Sequence, residues 1–277
     1  MVPVTPDLAH IVLQALAGLL LLAGVTVDLY LAGLAQTRRL TPRLRAQTIL
    51  SLRPFSAFQA QLVLFTALLF ALAALFQNPA AAPPKESALL LGPLFYAATG
   101  LLTVALCLTS SRTPIRRAFF SPDVAAGLAL KKGLLYGIAI IPPVTLLSMI
   151  TTTLTEALGR ESSPQEVFDW LGDDSYALST RVFMMAAAVV IAPVVEELLF
   201  RGILFPALLK GRTFFFAALL TGSFFALVHL HAPAFLPLLV LGIAFSAGYA
   251  ATGSILTPII MHALFNLTSV LFFLADT

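Results

Sequence analysis

Long apolar runs dominate the sequence and decide what the chain can fold into. A helix that crosses a lipid bilayer needs about 20 consecutive, mostly apolar residues. Runs of this kind lie near 8–34, 57–76, 88–109, 131–155, 180–204, 213–230, 235–251 and 255–274. We therefore predict an all-α, polytopic transmembrane bundle of about eight helices. The whole chain, 1–277, is expected to form a single integral membrane domain.

The amino-acid composition excludes the soluble alternatives. Of the 277 residues, 59% are hydrophobic and only 10% are charged, whereas an ordinary soluble domain is about 45–50% apolar and about 25% charged. So few ionisable groups cannot cover the surface of a water-soluble protein of this size, which excludes a soluble enzyme and a disordered chain. The single cysteine, Cys107, excludes a disulfide-stapled secreted domain.

The distribution of lysine and arginine predicts an orientation, because these residues are enriched in cytoplasmic loops. Thirteen of the 16 basic residues fall in the connections 35–56, 110–132 and 201–212, whereas the connection 156–174 is acidic. The three basic connections are therefore predicted to be cytoplasmic and both termini extracytoplasmic. Within the second of them, the segment 114–130 is predicted to be a short helix at the membrane interface.

The net charge of +3 is explained by this topology. We therefore predict membrane lipids as partners and no nucleic acid.

Few ionisable residues lie inside the predicted spans, and each is a candidate functional group because charge is costly in lipid. They are Asp28, Glu196, Glu197, His229 and His262, with Arg201 near a helix end. Asp28 lies close to the predicted cytoplasmic end of the first span, which favours a structural or interfacial role.

The densest cluster is formed by Glu196, Glu197 and Arg201. Glu197 and Arg201 are four residues apart with the acid first, which is the favourable order for an ion pair along one helix face. Glu196 points about 100° away from Glu197, and Phe200 follows it at the same spacing, so Glu196 has no local counter-ion. Pro193 predicts a helix kink just before the acids. The alternative is that these residues only tie helices together.

Two further polar pairs follow at helical spacing. Phe225 and His229 share one helix face, and so do His262 and Asn266 in the last span. The second pair is suited to donating two hydrogen bonds to one developing negative oxygen. The alternatives are a polar clamp between helices for this pair and a structural or interfacial role for His229.

Helix geometry allows Glu196 and His229 to meet. If 196–230 forms a helical hairpin, the two residues lie roughly 21–24 Å from its turn and hence at similar depth. A free glutamate that faces a histidine can deprotonate a water molecule for attack on an amide. His262 lies only about 12 Å from the 251–254 turn, so its participation requires a tilted or unusually short helix. Zinc held by Glu196, His229 and His262 is an alternative, although the sequence lacks His-Glu-x-x-His.

The three motifs, in this order, resemble those of the CAAX protease and bacteriocin-processing family, also called the CPBP or Abi family, which includes the Ras-and-a-factor converting enzymes. The motifs are Glu196-Glu197-x-x-x-Arg201, Phe225-x-x-x-His229 and His262-x-x-x-Asn266. They lie within 180–274, whereas the N-terminal helices of 1–179 carry no recognised motif. The resemblance implies an eight-helix, glutamic-type intramembrane endopeptidase with a chamber open to the cytosol, without metal or other cofactor.

The resemblance also implies a role for each motif residue. Glu196 and His229 would activate a water molecule, and His262 and Asn266 would form the oxyanion hole. The remaining motif residues, Glu197, Arg201 and Phe225, would be supporting positions. The implied substrate is a membrane-associated protein or peptide, for which a prenylated CAAX-type tail is one class.

The leading hypothesis is therefore a multi-pass membrane endopeptidase, and the short chain with brief loops favours a prokaryotic plasma membrane. Two other classes of function stay open. One is a non-catalytic membrane immunity or scaffold protein that uses the same pocket for binding. The other is a proton-coupled transporter, because buried acids and histidines can relay protons.

Overall fold

The computed structural model describes residues 8–36, 50–75, 85–159 and 170–276, and these residues form no strand. The helices are α1 (Leu8–Gln36), α2 (Ala57–Leu75), α3 (Glu86–Ser110), α4 (Ile115–Phe119), α5 (Ala126–Ala157), α6 (Leu178–Leu209), α7 (Phe214–Leu227), α8 (Phe235–Thr252) and α9 (Leu256–Asp276). Seven of them are long and apolar enough to cross a membrane, and α7 is a shorter apolar helix. The prediction of an all-α integral membrane bundle is confirmed.

Part of the predicted orientation falls outside the described residues. The basic residues Arg38, Arg39, Arg43 and Arg45 lie there, and so do Arg160 and the acidic residues Glu161, Glu166 and Asp169. The orientation therefore stays a prediction.

Two predicted boundaries were wrong. The interfacial segment 114–130 is helical only over Ile115–Phe119, and residues 126–130 are already the first turns of the long helix α5. The predicted span 213–230 is the 14-residue helix α7, about 21 Å long against a hydrocarbon core of about 30 Å. The hydroxyl of Thr213 caps its first turn by accepting from the backbone N–H of Phe216, and His229 lies in the turn beyond its end.

The helices differ in how much of each is covered by the rest of the protein. Only 11% of the α1 span is buried, against 56% of the α8 span. The main core lies around α6–α9, with α2 and α3 packed against α6. The motif-bearing helices therefore occupy the interior, and α1 lies at the periphery against α5 and α9.

Two glycines bring α7 and α8 into close backbone contact. A Cβ atom on Gly242 would lie 2.6 Å from the Cα of Gly222 and 3.2 Å from Nη2 of Arg201. Small residues at facing positions allow helices in a membrane to approach closely. This approach places the carbonyl of Gly242 next to the buried guanidinium of α6.

Candidate active site

The two acidic residues of α6 lie between two π-helical segments, Ala187–Ile191 and Leu198–Leu204. In the first segment the backbone N–H of Ala192 donates to the carbonyl of Ala187, five residues earlier. Pro193 explains this distortion, because it has no N–H and its ring conflicts with the regular α-helical ladder. The structure thus accommodates the proline by a local change of helix type immediately before the acids.

The same proline frees a carbonyl that holds the last helix in place. In a π-helical ladder, the carbonyl of Ala188 would pair with the N–H of residue 193, which a proline lacks. Nδ2 of Asn266 donates to this carbonyl at 2.8 Å. Because the amide nitrogen carries two hydrogens, one N–H of Asn266 remains for a second acceptor.

Glu197 and Arg201 form the ion pair that their spacing predicts. Nη1 of Arg201 donates to Oε1 of Glu197 at 2.8 Å, and both side chains are completely buried. Nη2 of Arg201 donates to the carbonyl of Gly242 at 3.2 Å. Its guanidinium carbon lies 4.5 Å from the ring centroid of Phe225 and 5.1 Å from that of Phe245. Glu197 and Arg201 are therefore a buried structural centre that joins α6 to α7 and α8.

His262 is bound to the same carboxylate. Its Nδ1 lies 2.9 Å from Oε1 of Glu197, and because a carboxylate accepts, Nδ1 carries the hydrogen. The imidazole ring is stacked on Phe245, with centroids 4.9 Å apart and planes at 24°. The other ring nitrogen, Nε2, lies 3.9 Å from Oε2 of Glu196. Glu197 therefore fixes both the orientation of His262 and the nitrogen that faces Glu196.

Glu196 has one fixed and one free carboxylate oxygen. Oε1 accepts a hydrogen bond of 3.1 Å from the hydroxyl of Tyr96. Oε2 is buried and has no hydrogen-bond partner among the residues that the structure describes. A buried polar atom without a partner is rare in proteins.

Tyr96 is the residue of the site that the sequence motifs did not predict. It lies on α3, outside the three motifs, and its ring packs on Phe70 with centroids 4.6 Å apart. The available signal was weak: a tyrosine in the middle of an apolar span needs a partner for its hydroxyl, but the sequence does not say which one.

His229 presents one free ring nitrogen. Its Nδ1 lies 2.7 Å from the carbonyl oxygen of Phe225. Because a carbonyl only accepts, Nδ1 carries a hydrogen, and Nε2 has no hydrogen-bond partner among the described residues. The ring of Phe225 touches both histidines, with centroid distances of 4.8 Å to His229 and 5.7 Å to His262. The ring of Phe225 therefore contacts the guanidinium of Arg201 and both imidazoles.

The four predicted catalytic side chains line one cavity of about 130 Å³. They are Glu196, His229, His262 and Asn266. Most of the other lining residues are apolar, among them Leu238, Leu241 and Phe265. A single water needs about 10–15 Å³, so this cavity has room for several waters.

The remaining ionisable candidate, Asp28, lies elsewhere. It lines a separate cleft with Tyr136 and Met261. Within the described ranges, no group of three histidine, cysteine or carboxylate side chains is arranged to hold a metal ion. The zinc alternative from Glu196, His229 and His262 thus has no matching geometry there.

Comparisons with known proteins agree with the motif-bearing segment. Residues 178–268 match the model of a family described as type II CAAX prenyl endopeptidase, Rce1-like. A protein of Bacillus subtilis (strain 168) named "Putative membrane peptidase YdiL" is 32% identical over 110 residues, which cover 39% of this chain and 42% of that protein. No solved structure matches the chain significantly. These matches confirm the resemblance to the CAAX protease and bacteriocin-processing family for this part of the chain.

Proposed function

We propose that the protein is an intramembrane endopeptidase that hydrolyses a peptide bond with a water molecule activated by Glu196 and His229. One observation carries the proposal: Glu196, His229, His262 and Asn266 line a single cavity, and one carboxylate oxygen of Glu196 has no hydrogen-bond partner among the residues that the structure describes. The matches to a prenyl endopeptidase family and to a protein named as a membrane peptidase support this class of reaction.

In the first step, Glu196 acts as the general base. A water bound to its free Oε2 loses a proton to the carboxylate as its oxygen attacks the scissile carbonyl carbon. Nε2 of His229 accepts a hydrogen bond from the second O–H of the water and so orients the lone pair of the water oxygen. Tyr96 keeps the other oxygen of Glu196 in place, at 3.1 Å.

The negative charge that develops on the carbonyl oxygen during this attack is stabilised by Asn266 and His262. Asn266 donates its second N–H, because its first is held by the carbonyl of Ala188. His262 donates from Nε2, which requires a ring that carries both hydrogens, because Nδ1 already donates to Glu197. Preorganised donors of this kind are worth about 10²–10³ in rate each. The proton on Glu196 then passes to the leaving nitrogen as the C–N bond breaks, which releases a carboxylic acid and an amine.

The proposed substrate is an apolar segment of a membrane-associated protein or peptide, because most of the residues that line the cavity are apolar. Prenylated CAAX-type tails are one candidate class, and peptides without a lipid are the other. The proposed setting is a prokaryotic plasma membrane, with the chamber facing the cytosol.

The test compares cells that express the wild-type protein or Glu196→Gln. The peptide ends present in their membranes are identified by mass spectrometry, which needs no prior choice of substrate. Peptide ends that depend on wild-type protein should be absent with Glu196→Gln. Asp28→Asn is the matched control, because it makes the same acid-to-amide change in a span whose acid does not line the cavity. It should leave the set of ends unchanged.

Two outcomes would contradict the proposal. Identical peptide ends for wild type and Glu196→Gln would favour the non-catalytic binding role. Loss of the ends in both Glu196→Gln and Asp28→Asn would indicate general damage from removing a membrane acid. Synthetic quenched peptides with and without a farnesyl group would then separate the two proposed substrate classes.

A further inference from the structure

A second, larger cavity lies at the ends of α2 and α3 and shares no lining residue with the candidate active site. Its volume is about 1010 Å³. It is formed by the loop before α2 and by the connection that carries α4. We call this cavity the arginine groove, because it is lined by Arg53, Arg112, Arg116 and Arg117.

Three of these arginines are free to bind an anion. Arg112, Arg116 and Arg117 are exposed, and none of them forms an ion pair with an acidic residue in the part of the chain that the structure describes. The preceding stretch, 37–49, has four more arginines in its sequence and no acid. Among the described residues, the lining of the groove therefore contains four arginines and no acidic residue.

Arg53 makes one wall of the groove rigid. It is only 4% exposed. One guanidinium nitrogen donates to the carbonyl of Arg117, and the other donates to the carbonyl of Gly253 at 2.9 Å. Its Nε is buried and has no hydrogen-bond partner among the described residues. Arg53 therefore adds a fixed guanidinium to the wall of the groove, and this planar cation is suited to phosphate oxygens.

The groove is also amphipathic. Leu52 lines it and is 77% exposed, and Ile115 on the neighbouring helix α4 is 61% exposed. α2 begins at Ala57 and α3 ends at Ser110, so the groove lies where two membrane-crossing helices end. Cationic side chains and exposed apolar side chains therefore meet where the two membrane-crossing helices end.

We propose that the arginine groove binds the phosphate headgroup of an anionic phospholipid. Basic pockets at the ends of membrane helices recognise such headgroups. Each basic residue near the membrane surface adds to the electrostatic attraction by a similar amount. Inorganic phosphate shares the anionic chemistry, but it would make no use of Leu52 and Ile115. The apolar side chains beside the arginines thus favour a lipid over a free anion. The site is independent of the proposed peptidase reaction.

The test measures the stabilisation of the full-length protein in neutral detergent by short-chain lipids. Dihexanoyl phosphatidylglycerol should raise Tm in a saturable manner, whereas dihexanoyl phosphatidylcholine, with the same chains and a zwitterionic head, should raise it much less. The triple variant Arg112→Gln/Arg116→Gln/Arg117→Gln should bind phosphatidylglycerol at least about tenfold more weakly. Arg53 is left intact, because its hydrogen bonds hold the Gly253 turn.

The matched control removes the same charge elsewhere. Lys131, in the first turns of α5, and Lys210 and Arg212, between α6 and α7, are exposed and are predicted to be on the same side, but they do not line the groove. Their triple replacement by glutamine should leave the affinity for phosphatidylglycerol unchanged. If the arginine triple variant does not fold, the single substitution Arg116→Gln should still weaken binding.

Three results would overturn the proposal. One is equal stabilisation of the wild type by the two lipids. Another is an equal loss of affinity in the arginine variants and in the control, which would show that only overall charge matters. The third is stabilisation by inorganic phosphate at the same concentrations as phosphatidylglycerol, which would make a free anion the ligand.

Discussion

The helices α1 and α8 have similar apolar sequences but opposite environments. The α1 span has a mean hydropathy of 2.0 and is 11% buried, and the α8 span has a mean hydropathy of 1.8 and is 56% buried. Hydrophobicity therefore identifies a helix as membrane-crossing but does not say whether it faces lipid or protein. The difference lies in small and polar residues: α8 contributes Gly242 and Ser246 to the interior, whereas α1 exposes Leu19, Leu22 and Leu29.

The comparison predicts that substitutions in the interior change stability or activity much more than substitutions at the periphery. In the interior, the side chains of Glu197, Arg201 and His262 hold one another in place, and Asn266 donates to the backbone carbonyl of Ala188. At the periphery, an exposed apolar side chain has few protein neighbours to lose when it is replaced. The predictions below test this difference, beginning with the largest effect.

Arg201→Met should have the largest effect. It leaves the buried carboxylate of Glu197 without its cation, and breaking a buried pair in this way costs about 3–5 kcal/mol. The free energy of unfolding in mixed micelles, measured by titration with a denaturing detergent, should fall by this amount. The double variant Glu197→Gln/Arg201→Met should recover part of the loss, because it leaves no uncompensated charge. A double variant less stable than Arg201→Met would contradict this account of the pair.

Asn266→Leu should have the next largest effect, and mainly on activity. It removes the proposed oxyanion donor and the hydrogen bond to the carbonyl of Ala188. Loss of one such donor lowers kcat by about 10²–10³. The measurement is the rate of appearance of the peptide ends that depend on Glu196. Substitution of Leu267, the next residue on α9, which is 40% exposed, by alanine is the control and should leave this rate unchanged.

Tyr96→Phe should have a smaller effect, because it removes only one hydrogen bond. The hydroxyl donates to Oε1 of Glu196, and a hydrogen bond to a charged group contributes about 1.5–3 kcal/mol. We expect kcat to fall by about tenfold or more while the ring keeps its contact with Phe70 and the fold. A kcat equal to that of the wild type would show that Tyr96 does not position the general base.

Local sequence patterns predicted much of the structure. The length of the apolar runs predicted the membrane helices closely: 57–76 was expected, and Ala57–Leu75 is found. The spacing of Glu197 and Arg201 predicted their ion pair, because helix geometry alone brings residues at that spacing together.

Other features depend on tertiary structure and could not be predicted. Helical spacing does not say that His262 binds the same carboxylate as Arg201, nor that Tyr96 on a helix without motifs reaches Glu196. The π-helical segments were also missed, because the sequence interpretation assumed a regular α-helical ladder. In that ladder Pro193 would free the carbonyl of Val189, whereas in the structure the carbonyl of Ala188 binds Asn266.

Leu29→Ala should have the smallest effect and completes the comparison. Leu29 is 70% exposed on α1, so its side chain contacts lipid rather than protein, and truncation creates no internal cavity. Substitutions away from packed or paired groups usually change stability by less than about 0.5 kcal/mol. The matched interior substitution is Leu241→Ala on α8, where the side chain is 1% exposed and the expected cost is about 2–5 kcal/mol. Equal losses of stability for the two variants would show that α1 packs against protein on the face that carries Leu29, and the division between a lipid-facing periphery and a packed interior would then be wrong.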